Sequence, residues 1–174
     1  MDTHYTATAK LLHWLIALMI FGMLGFGFYM TGLDLSPTKL ELYSWHKWAG
    51  VTVFLLVLVR LAWRIGHRPP ALPAHMPAIE RLAAHAGHHL LYLLMLAIPL
   101  SGWVMAGGHG DALAWFGTPL PALVQQGSAL GRPAHEAHEL LGWVLLVLVA
   151  LHVLAALKHH FVARNDVLRR MLPW

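Results

Sequence analysis

The sequence predicts an all-α membrane protein, a bundle of four transmembrane helices, on the basis of its composition and its apolar stretches. The chain has 174 residues, of which 58% are hydrophobic and 11% charged, and its mean hydropathy is +0.59. Soluble domains rarely have this balance. Apolar stretches predict helices at about 8–30, 44–66, 82–107 and 135–161, each able to cross a bilayer with its flanking residues. Residues 1–174 are expected to form a single membrane domain.

The first predicted helix carries His13 near its start and is expected to be retained. It is too long for the apolar core of a signal peptide and lacks a small-residue cleavage site before Thr31. Gly22, Gly25 and Gly27 would let a neighbouring helix or a flat cofactor approach its backbone.

The later helices are separated by connections rich in Pro and Gly. The second helix opens at His46, which stands among interfacial tryptophans. Pro99 is expected to break the third helix, because proline removes a backbone donor. The connection at 107–133 is the longest, and its Trp115 and Phe116 predict a loop folded down onto the membrane surface.

Composition also excludes several classes of function. The chain has no cysteine, which removes disulfides, iron–sulfur clusters and c-type haem, so any haem would be held by coordination and packing. The pI of about 9.8 is not accompanied by a nucleic-acid-binding motif.

The basic residues instead predict the orientation in the membrane. Nine of the 12 Lys and Arg residues fall on the side that holds both termini, which places both termini in the cytoplasm. These nine are Lys10, Arg60, Arg64, Arg68, Arg81, Lys158, Arg164, Arg169 and Arg170, and the other three are Lys39, Lys47 and Arg132.

Four histidines fall into two pairs at matching depths. His138 and His152 are 14 residues apart on the fourth helix, hence about 40° apart around its axis and about 21 Å along it. His13 lies level with His152 in the inner half, and His46 lies level with His138 at the outer side. Two facing imidazoles are what bis-histidine haem ligation requires, so a haem is predicted at each level.

Two alternatives remain open for these histidines. Ionisable residues inside a span are usually functional, and a proton relay or a metal transporter would also need them. His88, at the mouth of the third helix, is a rival ligand for the inner pair.

Several short strings resemble the bacterial cytochrome b561 family, the four-helix, di-haem cytochromes of the inner membrane. The resemblance covers nearly the whole chain and depends on the order and spacing of the strings; within the family it is most similar to the stand-alone superoxide oxidase. The strings are Leu12-His13-Trp14, His46, Arg60-Leu61-Ala62-Trp63-Arg64, Gly87-His88, Ala97-Ile98-Pro99-Leu100, His138-Glu139-Leu140-Leu141, Leu151-His152 and Lys158-His159-His160.

The resemblance implies two b-type haems, one ligated by His13 and His152 and the other by His46 and His138. It implies that superoxide is oxidised at the periplasmic side and ubiquinone is reduced, with His159 lining the quinone pocket. Membrane lipid, ubiquinone and superoxide are the expected partners, without nucleic acid or an obligate protein partner. The alternative is an electron-relay subunit between the quinone pool and a separate dehydrogenase or reductase.

The residues predict further roles at the inner end. His159 lies two turns after His152 on the same stripe, and histidine titrates near neutral pH, as a proton donor to a quinone should. Arg60 and Arg164 are candidates to hold haem propionates or the quinone head group. Contact with lipid phosphate is the alternative for both arginines.

At the outer face, Lys47 is the candidate to steer superoxide, because it lies beside His46 and superoxide is an anion. The formal charge of the outer loops does not favour anion capture, so any positive funnel must be local. The five outer acids are Asp34, Glu41, Asp111, Glu136 and Glu139.

Overall fold

The computed structural model describes residues 4–111 and 113–172, and four long helices arranged in an antiparallel bundle dominate it. Each helix is long and apolar enough to cross a membrane. The helices are α1 (Ala7–Thr31), α2 (Pro37–Gly66), α3 (Ala78–His109) and α4 (Gly131–Phe161). We call the end of the bundle where α1 begins and α4 ends the terminus end and the opposite end the hairpin end.

The helices begin earlier than their apolar stretches predict, most clearly in α2. This helix starts at Pro37 instead of about residue 44, since the Ser36 hydroxyl accepts from the Lys39 backbone N–H at 3.2 Å and Pro37 occupies the first turn. Similarly, α3 starts at Ala78 and α4 at Gly131. Hydropathy underestimates these helices because their first turns are polar.

The third helix runs unbroken through Pro99, so the predicted break is wrong. The neighbouring Ile98 carbonyl accepts hydrogen bonds from Ser101 Oγ at 2.7 Å and from His138 Nδ1 at 2.9 Å. Pro99 removes only the backbone bond to the Met95 carbonyl, four residues earlier, and the helix continues for ten residues beyond it. The prediction ignored the packing of α3 along α4, which supports the helix across this position.

An apolar cluster at mid-depth joins all four helices. Within the bundle, α1 packs along α2, α2 along α3, and α3 most extensively along α4. The Val57 side chain is fully buried at 0% exposure. Leu145 of α4 lies seven residues from both His138 and His152, so the cluster separates the two histidine levels. Its members are Ile16, Ile20, Val53, Val57, Leu94 and Leu145.

The connection between α3 and α4 folds back onto the bundle as a small hairpin. Strand β1 (Ala114–Trp115) pairs antiparallel with β2 (Thr118–Pro119) around a turn in which Phe116 has a φ of 48°. Trp115 Nε1 donates to Thr52 Oγ1 of α2 at 3.1 Å. The hairpin is therefore anchored on α2, as expected for a loop that folds down.

The segment after α4 closes the terminus end. A short 3₁₀ helix, Arg169–Met171, brings the Met171 carbonyl to Trp14 Nε1, which donates to it at 2.9 Å. The Arg170 guanidinium, 2.8 Å from Asp166, holds the pKa of that carboxyl below its ordinary value. The sequence predicts this segment only as a basic tail, whereas it folds back against α1.

A close backbone contact between α3 and α4 predicts the effect of one substitution on the stability of the protein. A Cβ on Gly108 would lie 2.5 Å from Gly131 Cα, so Gly108→Ala should force the helices apart and cost about 1–3 kcal/mol. Thermal melting in detergent, followed by circular dichroism, should show a lower midpoint. Gly87→Ala on the same helix is the matched control, because nothing lies within 4 Å of its Cβ position. Equal midpoints for the two variants would contradict this account.

Candidate functional site

One stripe of α4 organises the candidate site. His138, Leu145, His152 and His159 follow one another at intervals of seven residues, so they lie on one side of the helix as it packs in a bundle. The stripe passes from the hairpin end, through the apolar cluster, to the terminus end.

At the hairpin end, His138 faces His46 of α2. Their ring centres are 6.1 Å apart and their planes are inclined at 76°. The Ile98 carbonyl accepts the hydrogen bond of His138 Nδ1 at 2.9 Å, which assigns the proton to Nδ1 and leaves Nε2 free as a ligand. A Cβ on Gly102 would lie 3.2 Å from His138 Cε1. Glycine at this position therefore makes room for the ring.

At the level nearer the terminus end, His152 has two histidine neighbours. Its ring centre is 6.3 Å from that of His13 on α1 and 5.5 Å from that of His88 on α3. Both His13, the predicted partner, and His88, the predicted rival ligand, therefore lie beside His152. His13 faces His152 with almost the same separation as the pair at the hairpin end.

The residues present fit a haem with two axial histidines at each level. Two imidazoles that bind one metal from opposite sides, each with a nitrogen about 2 Å away, have ring centres about 6 Å apart. Both predicted pairs have this separation. His46 Nδ1 is buried and has no hydrogen-bond partner among the described residues. Close backbone packing also joins α4 to α3 but hardly to α1 or α2 within the described part of the chain. The histidine pairs lie across the wider gaps between α4 and these two helices.

Arg60 lies beside the pair nearer the terminus end. Its guanidinium donates to the Ala9 carbonyl at 2.7 Å and to Tyr92 Oη at 3.0 Å, and Nη2 lies 3.4 Å from His13 Nδ1. Arg60 therefore joins α1 to α3 and lies beside His13. Burial raises the pKa of the neighbouring Tyr5 phenol, which stays neutral at physiological pH. In the part of the chain that the structure describes, the Arg60 guanidinium is thus hydrogen-bonded to protein groups.

His159 is enclosed by side chains whose proximity the sequence does not predict. Its side chain is only 11% exposed; Nε2 lies 3.8 Å from Glu80 Oε2, and Nδ1 lies 3.0 Å from Asn165 Nδ2. Lys158 Nζ contacts the other Glu80 oxygen at 2.8 Å. Glu80 could have been noticed as an isolated acid at the start of a predicted span, but Asn165 had no signal of its own. Arg164 is exposed, and no described hydrogen bond joins it to His159.

Lys47 lies beside His46 and is paired with an acid. Its Nζ is 3.2 Å from Asp111 Oδ2, and the two side chains are 26% and 62% exposed. In the sequence, Asp111 is distinguished only as one of several acids on the outer side. The pairing lowers the local positive charge that the steering role requires.

Comparison with known proteins assigns the family. The sequence profile described as prokaryotic cytochrome b561 matches residues 4–174. The chain belongs to the prokaryotic cytochrome b561 family. It is therefore a multi-pass membrane protein of the transmembrane electron-transfer class, and the family implies b-type haem. The resemblance noted in the sequence is confirmed.

Individual relatives cover almost the whole cytochrome. Cytochrome b561 homolog 2 of Escherichia coli K12 is 35% identical over 97% of this chain and 90% of that protein. A probable superoxide oxidase, CybB, of Yersinia pestis is 28% identical over 99% of this chain and 98% of its own. Cytochrome b561 homolog 1 of E. coli K12 is 28% identical over 97% of both chains.

Proposed function

We propose that this cytochrome oxidises superoxide at its hairpin end and reduces ubiquinone at its terminus end, through two b-type haems. The observation that carries the proposal is the single stripe of α4, on which His138, His152 and His159 follow one another, the first two each facing a histidine of another helix. The relative from Yersinia pestis that is named a probable superoxide oxidase supports the choice of donor.

The proposed orientation places the protein in the bacterial inner membrane with both termini in the cytoplasm. Nine of the 12 Lys and Arg residues lie towards the terminus end, and short cytoplasmic segments are enriched in these residues. The hairpin end would then face the periplasm, where superoxide would reach His46 and Lys47.

We assign one haem to each histidine pair. When bound, a haem held by two histidines would supply a one-electron carrier. His46 and His138 would hold it at the hairpin end, with the Ile98 carbonyl fixing His138. His13 and His152 would hold the other, with Arg60 beside His13. The apolar cluster around Val57 excludes water between the two levels.

The balance of the reaction sets what the terminus end must provide. Two superoxide anions lose one electron each and become two oxygen molecules, while one ubiquinone gains two electrons and two protons. His159 lies seven residues beyond His152 on the same stripe, so we place the quinone head group beside it. Protons are then taken up from the cytoplasmic side.

The decisive experiment uses the purified, haem-loaded protein. We expect superoxide to reduce its haems faster than superoxide dismutates spontaneously, and a short-chain ubiquinone to reoxidise them. Stopped-flow absorbance in the b-type haem bands measures both steps. If superoxide leaves the haems oxidised while a quinol still reduces them, the protein is a relay subunit and not a superoxide oxidase.

One observation favours that second candidate, an electron relay between the quinone pool and a separate dehydrogenase or reductase. Lys47 is paired with Asp111, and Arg132 with Glu136, so these two hairpin-end bases are neutralised. The third, Lys39, hydrogen-bonds the Leu33 carbonyl. Weak anion capture suits a protein that receives electrons from a docked partner.

Charge substitutions beside His46 test the superoxide step. Lys47→Gln should slow haem reduction by superoxide, and Asp111→Asn should accelerate it, each by about two- to fivefold, because the local potential changes in opposite directions. Both effects should shrink at high salt, since charges more than about 10 Å apart are screened at 0.1 M. Glu136→Gln, which frees the more exposed Arg132, is the control. A slower Asp111→Asn protein would refute a steering role for Lys47.

Alanine substitutions distinguish the ligand from its rival. His152→Ala should halve the haem content, because it removes an axial ligand from one level and leaves His46 and His138 in place. His88→Ala should keep both haems. The haem-to-protein ratio and the low-temperature absorbance spectrum measure these outcomes. Loss of haem from His88→Ala, with retention in His13→Ala, would reassign the partner of His152.

A further inference from the structure

Four side chains meet where the terminus end reaches the cytoplasmic surface. Glu80 comes from the first turn of α3, Lys158 and His159 from the last turn of α4, and Asn165 from the segment that follows. We call these four residues the terminus-end cluster. Glu80 is 28% exposed, whereas His159 is 11% exposed. The carboxylate therefore connects a nearly buried imidazole with water.

Hydrogen bonds assign the tautomer of His159. Asn165 Oδ1 accepts from the Val167 backbone N–H at 3.3 Å, which orients the amide so that Nδ2 faces His159 Nδ1 at 3.0 Å. An amide nitrogen only donates, so His159 Nδ1 must accept and carry no proton. The ring is then neutral, with its single proton on Nε2, the atom that faces Glu80.

This arrangement opposes the usual role of histidine as an acid. To release a proton and stay neutral, His159 would first have to be protonated on both nitrogens. Nδ1 could take that proton only if Asn165 turned its amide and gave up the bond from Val167. A neutral imidazole with a fixed Nε2–H is suited to donate a hydrogen bond to a quinone oxygen, not to supply the proton.

His159 Nε2 and Glu80 Oε2 lie close enough for one oxygen atom to contact both. At 3.8 Å the two atoms are beyond hydrogen-bond distance, which is about 2.7–3.2 Å for N–H···O. A single oxygen atom displaced to the side of this line can contact both. Lys158, 2.8 Å from the other carboxylate oxygen, fixes the position of Glu80.

We infer that Glu80 carries a proton to the reduced quinone, while neutral His159 holds the quinone oxygen through Nε2–H. The inference rests on the proposed function and names the proton carrier of its quinone site. Glu80 takes a proton from cytoplasmic water and gives it to a quinone oxygen, breaking its own O–H bond as the new one forms. The other quinone oxygen lies across the ring and takes the second proton from water, so that two protons and two electrons give the quinol.

The test compares single substitutions in the haem-loaded, full-length protein. The haems are reduced chemically, mixed without oxygen with a short-chain ubiquinone, and followed by stopped flow, with a pH indicator reporting proton uptake. Glu80→Gln should slow reoxidation and proton uptake by about 10²-fold, the lower end of what general acid catalysis contributes. Its haem spectrum and midpoint potentials should match the wild type. Glu80→Asp should keep most of the rate, and millimolar acetate should partly restore Glu80→Gln.

Two further variants separate the roles. His159→Gln, which keeps an N–H donor, should be reoxidised much faster than His159→Ala. If both variants are equally slow and Glu80→Gln is unaffected, His159 is the proton donor and the inference is wrong. Glu41→Gln, the same change at an exposed position of the hairpin end, should behave as wild type.

The outcomes distinguish this inference from the proposed function. If the wild type does not pass electrons to ubiquinone, the proposed function fails. If the wild type does so and Glu80→Gln is equally fast, the inference alone fails. A slow Glu80→Gln protein that acetate does not restore, with an equally slow Glu80→Asp, would mean that Glu80 only supports the fold and would also overturn the inference.

Discussion

The arrangement of the bundle depends on the burial of imidazole rings along one stripe of α4. An apolar interior accepts a polar group at little cost only when that group finds a partner, and an unpaired amide-like group costs roughly 2–7 kcal/mol. Each histidine on the stripe meets a group from another helix: His138 meets His46 and the Ile98 carbonyl, and His152 meets His13 and His88. The interval of seven residues keeps these contacts on one side of α4, because the positions that face a neighbouring helix in a supercoiled bundle repeat every 3.5 residues.

The two ends of the stripe differ in what surrounds them. At the hairpin end Lys47 pairs with Asp111, whose side chain is 62% exposed, and the exposed Arg132 pairs with Glu136. At the terminus end the segment after α4 folds back, and Asn165 and Glu80 enclose His159. The hairpin end is thus accessible to small solutes, whereas at the terminus end the His159 ring is held in one orientation.

The sequence predicts the features that depend on local pattern. Four helices follow from hydropathy, and the pairs His13 with His152 and His46 with His138 follow from depth and helical rise. Contacts that depend on the path of the connecting segments are not predictable in this way. Asn165 reaches His159 only because the chain turns back after α4, and Asp111 reaches Lys47 only because α3 ends beside α2. Pro99 was misjudged because the sequence does not show that α3 packs along α4.

The apolar cluster around Val57 and Leu145 has a consequence for the energetics of the whole membrane. Histidine pairs lie on both sides of this layer, but the layer itself is built from aliphatic side chains that conduct no protons. In the proposed orientation, electrons would cross it inward while the matching protons come from the cytoplasm, so each turnover moves net charge. A membrane potential that is negative inside opposes this movement by about 2.3 kcal/mol per electron for each 100 mV crossed in full. The same layer that holds the four helices together would make the reaction sensitive to the energised state of the cell.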